Sequence, residues 1–591
     1  MKTIRTTVFA LVIAFSFQQA FAQMFSAEKV TELTGRSKTK GYLGNVVVDD
    51  TKQQFDMVFV TKSTNKKIKF DVYQFDYNLN LLNNFSDEQE VKNARTKYKW
   101  FKYRGDGEND VEVVEGATAE GNMMGKLVLK KIQTTFTYNW WRGEYEKETK
   151  LLDKVKPRDV DEDGGKGRKL IYIAHQTLDT KGELLIATLV NRGVMSMAKE
   201  GTREYSILRV NTNLEIIDRM PLTFDHPQSL VYNGSLPSGS EADDDMVLVF
   251  APFGGQGYGK IADANPSNYT YVRLGADGKV KDRISFTSKC NYWAIYDVVE
   301  QAGGDIYMYG PGKIDHPEKE FTKGVYCITS DMAQQVRGST REDALENEKF
   351  SNLQVLKISG GKVAFISAPT IDDINAKGIK PASQKKAFEF DGKRFILNNI
   401  NIVSSGDIFI NGQDFKMDNA GQVKGRVYRN LMMFQFDKDG NFKRYYGIEN
   451  TAKGALLAGA GTAKSFPSQN TLVETSDGKS IIWNIFLTKD IDEDCSSTSY
   501  GTYCVFTPLY QGRMGKINIA DGTVGDFKTY GGEDFYLYTD LENSKGKKMP
   551  YIDINGGKES IFLARQRKGG IKGNERWGTS IWMGKLDPSK L

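Results

Sequence analysis

The stretch Phe-Gln-Phe-Asp-Lys-Asp-Gly-Asn at residues 434–441 joins an alternating aromatic run to an Asp/Gly turn, which is the pattern of a β-hairpin. Aromatic residues with a period of two favour a half-buried strand, and Asp and Gly are the residues that tight turns require. The same pattern returns through most of the chain. Further copies are Val-Tyr-Gln-Phe-Asp at 72–76 before Asn78, Tyr-Val-Arg-Leu at 271–274 before Asp277-Gly278, and Lys-Ile-Asn-Ile at 516–519 before Asp521-Gly522.

A second set of short apolar runs accompanies these hairpins, usually opened by Gly or Asp. From residue 246 onward the runs start roughly 45 to 80 residues apart, which is the span of one four-stranded unit with its loops. The runs lie at residues 57–60, 183–187, 246–250, 305–309, 363–366, 407–410, 481–485 and 561–564.

Repeated four-stranded units bury both faces when they are arranged radially, so the sequence predicts an all-β fold, a β-propeller of seven or eight blades. The propeller is expected to span residues 42–591, and the last run at 580–586 is expected to close the ring by pairing with the other end of the chain. Two β-sandwich domains are the alternative, because they also give regular short strands.

Two further segments are predicted at the start of the chain. Residues 1–22 are expected to be a secretory signal peptide, since an apolar run at 8–17 follows Lys2 and Arg5, and Ala-Phe-Ala at 20–22 gives the small-residue cleavage pattern. Residues 23–41 are expected to be an N-terminal extension. Within the propeller, the charged stretch at about 86–170 is predicted as an irregular insertion, either one irregular blade or a protrusion.

Composition excludes several function classes. The chain has 80 basic and 75 acidic residues, interleaved to a net charge of +5, which is a solvated surface rather than a nucleic-acid footprint. No later apolar run approaches about 18 residues, so no transmembrane segment is expected after signal cleavage. We therefore expect an exported protein of the periplasm or the cell surface.

The four cysteines of an exported chain permit two disulfides. Cys495 and Cys504 flank a short Ser/Thr/Tyr/Gly segment and are predicted to pair, stapling an acidic loop at 488–504. Cys290 and Cys327 lie in neighbouring β units and form the natural second pair. Metal ligation is the competing interpretation, but no C-x-x-C spacing supports it.

Calcium is the one cofactor that the sequence leaves open. Asp490, Asp492 and Asp494 alternate beside Cys495 and could offer carboxylates to a surface ion. Asp-Val-Asp-Glu-Asp-Gly at 159–164 begins like a calcium loop, but Leu170 stands at the twelfth position, where a bidentate carboxylate is required. No other cofactor is expected.

No recognisable catalytic constellation accompanies the repeats. Residues 254–260 fit G-x-x-x-x-G-K, yet Ile261 follows where a phosphate loop needs Ser or Thr, so this stretch is predicted to be a glycine-rich interblade loop. His226 and His316 each stand in an Asp-His-Pro tripeptide, with no G-x-S-x-G sequence to supply a nucleophile. A structural role for these turns is favoured.

Binding is therefore the leading hypothesis, through loops carried at one end of a rigid scaffold. The predicted contact residues are Trp140, Trp141, Tyr258, Lys260 and Tyr500, and the predicted partner is an envelope protein or glycan. The rival is a carbohydrate-active hydrolase or lyase whose carboxylates meet in a central pocket, an option that propellers leave open by analogy alone.

The signal peptide ending Ala-Phe-Ala-Gln at 20–23, the Lys/Asn/Tyr-rich composition and the Phe-Asp-x-Asp-Gly-Asn turn at 436–441 resemble uncharacterised exported β-propeller-like proteins of Bacteroidetes-type bacteria. The resemblance implies a periplasmic or cell-surface setting. The similarity lies in composition and turn pattern over the whole mature chain, and it includes no diagnostic motif.

Overall fold

The structure is a computed structural model of the 591-residue chain. It describes residues 25–38, 41–63, 67–90, 101–103, 109–111, 115–122, 125–139, 144–158, 167–178, 182–190, 203–238, 243–252, 268–290, 292–314, 348–420, 423–450, 468–498, 501–532, 534–539, 541–542, 548–568 and 576–590.

The first four blades are antiparallel sheets built from consecutive strands. Blade 1 contains β2 (Tyr42–Asp49), β3 (Gln54–Ser63), β4 (Lys67–Asp76) and β5 (Leu81–Glu90). The short strands β6 (Phe101–Tyr103) and β7 (Asn109–Val111) pair with each other before blade 2, which contains β8 (Glu115–Gly121), β9 (Leu127–Asn139) and β10 (Glu144–Val155). Blade 3 contains β11 (Leu170–Leu178), β12 (Glu183–Val190), β13 (Glu204–Val210) and β14 (Ile216–Thr223), and blade 4 contains β15 (Gln228–Leu236), β16 (Asp245–Pro252), β17 (Asn268–Leu274) and β18 (Val280–Thr287).

Blades 5 and 6 add short extra strands to the same plan. Blade 5 contains β19 (Tyr292–Trp293) and β20 (Asp297–Glu300), which both pair with β21 (Ile306–Lys313), followed by β22 (Asn352–Ser359) and β23 (Lys362–Ser367). After helix α1 (Ile371–Ala376), blade 6 contains β24 (Gly378–Ile379), β25 (Phe395–Ile402), β26 (Ile408–Ala420), β27 (Val423–Phe436) and β28 (Phe442–Ile448).

Blades 7 and 8 share one nine-stranded sheet, because β31 pairs with β33 where the two blades meet. Blade 7 contains β29 (Gln469–Glu474), β30 (Ser480–Thr498), β31 (Gly501–Asn518) and β32 (Lys528–Tyr530). Blade 8 contains β33 (Phe535–Leu537), β36 (Ile552–Ile554), β37 (Glu559–Lys568), β38 (Arg576–Leu586) and β1 (Ala27–Glu32), beside the small pair β34 (Leu541–Glu542) and β35 (Lys548–Met549). A single 3₁₀ turn (Pro588–Lys590) follows.

The hydrophobic core lies between successive blades, as radial packing requires. Separate buried clusters join blade 2 to blade 3, blade 3 to blade 4, blades 4 to 6, blade 6 to blade 7, blade 7 to blade 8, and blade 8 back to blade 1. Strand β3 of blade 1 contacts β9 of blade 2, which completes the circuit. Eight blades therefore succeed one another in a ring within the described residues, and the predicted all-β propeller is confirmed in place of two sandwiches.

The ring closes with the first strand of the chain. Strand β1 pairs antiparallel with β38 from Ala27 opposite Lys585 to Glu32 opposite Ser580. The predicted closing strand is thus paired with the opposite end of the chain. The segment predicted as an N-terminal extension contains β1, whose mostly exposed, polar sequence gave no sign that it occupies an outer sheet position.

Buried polar contacts fix the segment between β1 and β2. The Arg565 guanidinium, 2% exposed, donates to the carbonyl oxygens of Ser37 and Gly41 at 2.9 and 2.6 Å. The Ser37 amide donates to Asp71 at 3.1 Å, and its hydroxyl lies 2.6 Å from the Tyr73 hydroxyl. These contacts hold blade 8 to blade 1, because charged hydrogen bonds in a low-dielectric interior are costly to break.

Several of the repeated turns share one geometry. In the turn at 437–441, the Gly440 amide donates to the Asp437 carbonyl at 3.0 Å, and the Asp437 carboxylate accepts the amide of Asn441 at 2.8 Å. Gly440 has a positive φ, as does Gly278 at the same place in its turn. Gly522 also has a positive φ, but its turn is one residue longer, because its amide donates to the carbonyl of Asn518. Leu79 and Leu214 take this conformation without glycine, and in their turns Asp76 or Asn211 accepts the same amide. The carboxylate or amide oxygen thus substitutes for a ladder bond.

The two ends of the ring differ. Because adjacent strands are antiparallel, connections between the first and second and between the third and fourth strands of a blade share one end, here called the turn end. Neighbouring turns touch there: Asp50 accepts the amides of Asn555 and Gly556 at 2.8 and 3.0 Å, and Glu474 accepts the amide of Ser404 at 2.8 Å. Connections between second and third strands leave from the opposite end, here called the hairpin end.

Among the residues that the structure describes, no helix is long and apolar enough to cross a bilayer.

Candidate functional site

The strands that flank the segments which the sequence singled out for binding have their ends at the hairpin end. Strands β9 and β10 flank residues 140–143, β16 and β17 flank 253–267, and β30 and β31 flank 499–500. Each pair consists of the second and third strands of a blade, so the flanking strand ends lie at the same end of the ring. Trp140, Trp141, Tyr258, Lys260 and Tyr500 themselves lie outside the described residues.

The segment at 488–504, predicted as a stapled loop, is instead part of a long hairpin. Strands β30 and β31 remain paired from Ser480 opposite Asn518 to Thr498 opposite Gly501, with one irregularity between Thr488 and Asp490. The prediction of a loop was wrong because the acidic residues were taken as a loop signal, although residues 502–507 are rich in β-branched and aromatic types.

Asp490, Asp492 and Asp494 are alternate residues of strand β30. Alternate residues of an extended strand are spaced by about 6.6 Å, whereas the oxygens bound to one calcium ion all lie about 2.3–2.6 Å from it. In the described part of the chain, no group of three or more His, Cys, Asp or Glu residues is arranged to hold a metal. Calcium binding by these residues stays a prediction.

The cysteines separate into two cases. Cys495 lies directly opposite Cys504 in the register of β30 and β31, a placement whose backbone spacing suits a disulfide. Cys290 is buried and carries a free thiol, so the predicted pairing with Cys327 is not observed; Cys327 lies outside the described residues.

Cys290 is expected to resist modification in the folded protein. Its side chain is 0% exposed, and burial raises the pKa of the thiol to about 12, so the reactive thiolate is scarce near pH 8. After treatment with N-ethylmaleimide at pH 8, peptide mapping should find Cys290 unmodified in the native protein and fully modified in guanidinium chloride. Rapid native labelling would contradict the packing of this residue.

A cleft of about 950 Å3 opens at the turn end, between blades 7 and 8. Tyr551, Asp553 and Ser560 of blade 8 face Leu472 and the turn after β29 in blade 7. The remaining lining comes from neighbouring turns and the end of the chain: Asp50, Ser404, Val473, Glu474, Thr475, Ser476, Asn555, Gly556, Gly557, Lys558, Glu559, Asp587, Pro588 and Ser589.

Most of the carboxylates that line the cleft already have partners. Asp50 accepts from the Tyr77 hydroxyl and two backbone amides, and these hydrogen bonds, the Tyr77 one foremost, hold its pKa below the usual value. Glu559 pairs with Lys585 at 3.0 Å, and Asp587 pairs with Lys590 at 3.2 Å. Glu474 is bonded to Ser404. Asp50 and Glu474 thus fasten neighbouring turns to each other, whereas Glu559 pairs with the adjacent strand and Asp587 pairs within its own turn.

Asp553 and Ser560 differ from the other polar residues of the cleft. They lie directly opposite each other in the register of β36 and β37, so their side chains share one face of the sheet. Neither side chain hydrogen-bonds to any other residue within the described structure, although Ser560 is only 6% exposed. Burial raises the pKa of the Asp553 carboxyl.

Tyr551 completes this face. Its ring packs against Phe562 with centroids 5.5 Å apart, and burial together with the nearby Asp553 charge raises the pKa of its hydroxyl to about 12. Sequence reasoning did not select these residues. The available signal was the alternation in Tyr-Ile-Asp-Ile-Asn at 551–555, which places Tyr551 and Asp553 on one strand face.

The histidines do not form a site in the described structure. His175, on β11, lies with its Nδ1 atom 2.8 Å from the Tyr172 hydroxyl, and burial lowers the pKa of the imidazole. His226 is exposed in the connection between blades 3 and 4. His316 lies outside the described residues.

No protein-family model matches the sequence, and no curated protein matches it either. Solved structures that it resembles include a mutant apocarotenoid oxygenase of Synechocystis, with 11% identity, 76% of this chain and 84% of that chain covered, and a TM-score of 0.27. The exotype rhamnogalacturonan lyase YesX has 9% identity, coverage of 94% and 91%, and a TM-score of 0.23. A protein of unknown function from Dyadobacter fermentans has 10% identity, coverage of 95% and 100%, and a TM-score of 0.21. TM-scores of this size do not establish a shared fold, and the propeller assignment rests on the chain's own sheets.

Proposed function

We propose that this chain is an exported, non-catalytic binding protein of the cell envelope, which recognises a protein or glycan partner through the hairpin end of its propeller. The observation that carries the proposal is topological. Predicted contact segments that are more than 100 residues apart in sequence are each flanked by the second and third strands of a blade, and those strand ends lie at one end of the ring. Loops at one end of a rigid scaffold are a general design for recognition.

The turn-end cleft does not favour the rival hydrolase or lyase. Glycoside hydrolysis uses a pair of carboxylates, one as acid and one as base or nucleophile. Of the carboxylates that line this cleft, Asp553 alone is without a hydrogen bond or an ion pair in the described structure, while Asp50, Glu474, Glu559 and Asp587 have partners. This cleft therefore offers no free pair of carboxylates of the kind that such an enzyme requires.

Replacing Trp140 and Trp141 together with Ala is expected to weaken partner capture at least tenfold, because large aromatic residues dominate binding energies at interfaces. The measurement is capture of envelope proteins and glycans on immobilised mature protein, quantified by mass spectrometry, with thermal unfolding recorded in parallel. We expect the unfolding midpoint to change by less than about 2 °C, since the change is expected to touch a contact surface rather than the core.

The matched control removes two exposed side chains from the turn end, Lys279 and Asp439, by substitution with Ala. Capture by this control should equal that of the unchanged protein. Equal capture by all three proteins would contradict binding through the hairpin end. A large loss of stability in the Trp140/Trp141 variant would assign these residues to the core instead.

A further inference from the structure

The turn-end cleft carries an inference that is independent of the hairpin end. We propose that Asp553 and Ser560 form a recognition site for a cationic side chain, the ammonium group of lysine or the guanidinium group of arginine, presented by a peptide segment. Tyr551 forms the apolar side of this site.

Asp553 and Ser560 have unmet hydrogen-bonding capacity. The Ser560 residue is only 6% exposed, yet its hydroxyl bonds to no group of the described structure. Asp553 stands opposite it on the same sheet face and is also without a partner there. A buried hydroxyl is usually hydrogen-bonded, and a half-buried carboxylate such as Asp553 forms its strongest hydrogen bonds with charged donors, so both groups gain when a ligand supplies such donors.

The space in front of the pair is large enough for a ligand. The cleft of about 950 Å3 lies in front of these two residues, within the usual size range of ligand sites. Several buried amides elsewhere in the molecule also remain unpaired, among them both amide atoms of Asn411, but these atoms have almost no accessible surface. They leave no room for a ligand atom, whereas Asp553 and Ser560 line an open cleft.

The lining of the cleft carries a net negative charge. Five carboxylates line the cleft, Asp50, Glu474, Asp553, Glu559 and Asp587, together with one cation, Lys558. Glu559 and Asp587 are paired with Lys585 and Lys590, so a net charge of two negative units remains around the cleft. The chain as a whole is basic, with a net charge of +5, so this concave acidic surface contrasts with the rest of the molecule. A cleft lined by one sign of charge raises the local concentration of the opposite charge.

The chemistry of the pair fits a cation better than a neutral hydroxyl compound. An ammonium or guanidinium group only donates hydrogen bonds, and here a carboxylate and a hydroxyl oxygen both accept. The alkyl stem of lysine or arginine would pack along Tyr551 and Leu472, which is how such side chains place their apolar part. Exposed turns around the cleft leave the main chain of a peptide in solvent.

The test uses fluorescein-labelled Gly-Lys-Gly-Lys-Gly, with Gly-Gln-Gly-Gln-Gly and Gly-Glu-Gly-Glu-Gly as neutral and acidic comparisons, titrated with the full mature protein in 150 mM salt and followed by fluorescence anisotropy. Asp553→Asn is expected to weaken lysine-peptide binding about tenfold, since it removes the charge from one partner of a charge-assisted bond. Ser560→Ala is expected to weaken it about threefold. The control, Asp439→Asn, removes an equal charge from an exposed turn at the same end of the ring and should leave affinity within twofold.

Several outcomes would overturn the proposal. Equal losses for Asp553→Asn and Asp439→Asn would show diffuse attraction rather than a site. Equal binding of the glutamine peptide would exclude a cation site, and so would the absence of lysine-peptide binding at about 1 mM protein. None of these results bears on capture at the hairpin end, which is measured with different variants and different ligands.

Discussion

Removing residues up to and including Glu32, so that the mature chain begins at Leu33, is expected to lower the thermal unfolding midpoint by about 10 °C or more. The truncation deletes β1 and leaves the edge of β38 unpaired from Ser580 to Lys585. It also removes the Phe25 ring, which packs at 5.1–5.9 Å between the ring centroids of Tyr530, Phe562 and Trp582. Loss of one buried Phe side chain alone costs about 3–5 kcal/mol.

A complementation experiment makes this prediction specific. A synthetic peptide that covers residues 25–34, added to the truncated protein, should restore most of the lost stability by pairing with β38 as β1 does. The substitution Val30→Ala serves as control, because Val30 is 58% exposed and should change the midpoint little. If the truncated protein melted at the temperature of the intact protein, β1 would have no role in closing the ring.

The substitution Arg273→Met is expected to lower the free energy of unfolding by about 3–5 kcal/mol, the usual cost of breaking a buried ion pair by removing one partner. The Arg273 guanidinium donates to Asp245 at 2.7 Å, to Glu300 at 3.0 and 3.1 Å, and to the Pro237 carbonyl at 2.7 Å. Asp245 is only 1% exposed, and its remaining cation would be Lys281. The change therefore leaves negative charge buried between blades 4 and 5.

Chemical denaturation followed by tryptophan fluorescence provides the measurement. Lys279→Met is the matched control, because Lys279 forms an exposed pair with Asp277 at 3.2 Å and such pairs contribute little. We expect this control to stay within about 0.5 kcal/mol of the unchanged protein. Similar denaturation curves for the Arg273 and Lys279 variants would mean that the buried network adds nothing to stability.

The repeating part of the fold was predictable because its signal is local. An Asp/Gly turn such as 437–441 satisfies its own backbone hydrogen-bonding groups. A stretch of about ten residues is therefore enough to predict both the turn and the strands that it joins. The closing strand at the C-terminal end was predictable for the same reason, since its alternating apolar residues face two blades.

The parts that were missed depend on distant partners. Strand β1 is short, polar and exposed along most of its length, and only its pairing with β38 makes it a strand. The long β30–β31 hairpin was taken for a loop because charge outweighed strand propensity in the interpretation. Asp553 could not be separated from the other acidic residues of the chain, since its register with Ser560 arises from strand pairing within blade 8 and the cleft in front of it only when blades 7 and 8 meet.

The pairing of β1 with β38 sets an order on events during biogenesis. Ser26 and Lys585, which are bonded across this pair, are 559 positions apart in sequence. The strand that emerges first must wait without its partner until nearly the whole chain has been delivered, and contacts of such separation form slowly. In a chain that stops before β38, strand β1 and the edge of β37 both lack their pairing strand. Quality-control proteases and chaperones could use these unpaired edges to distinguish unfinished molecules from finished ones.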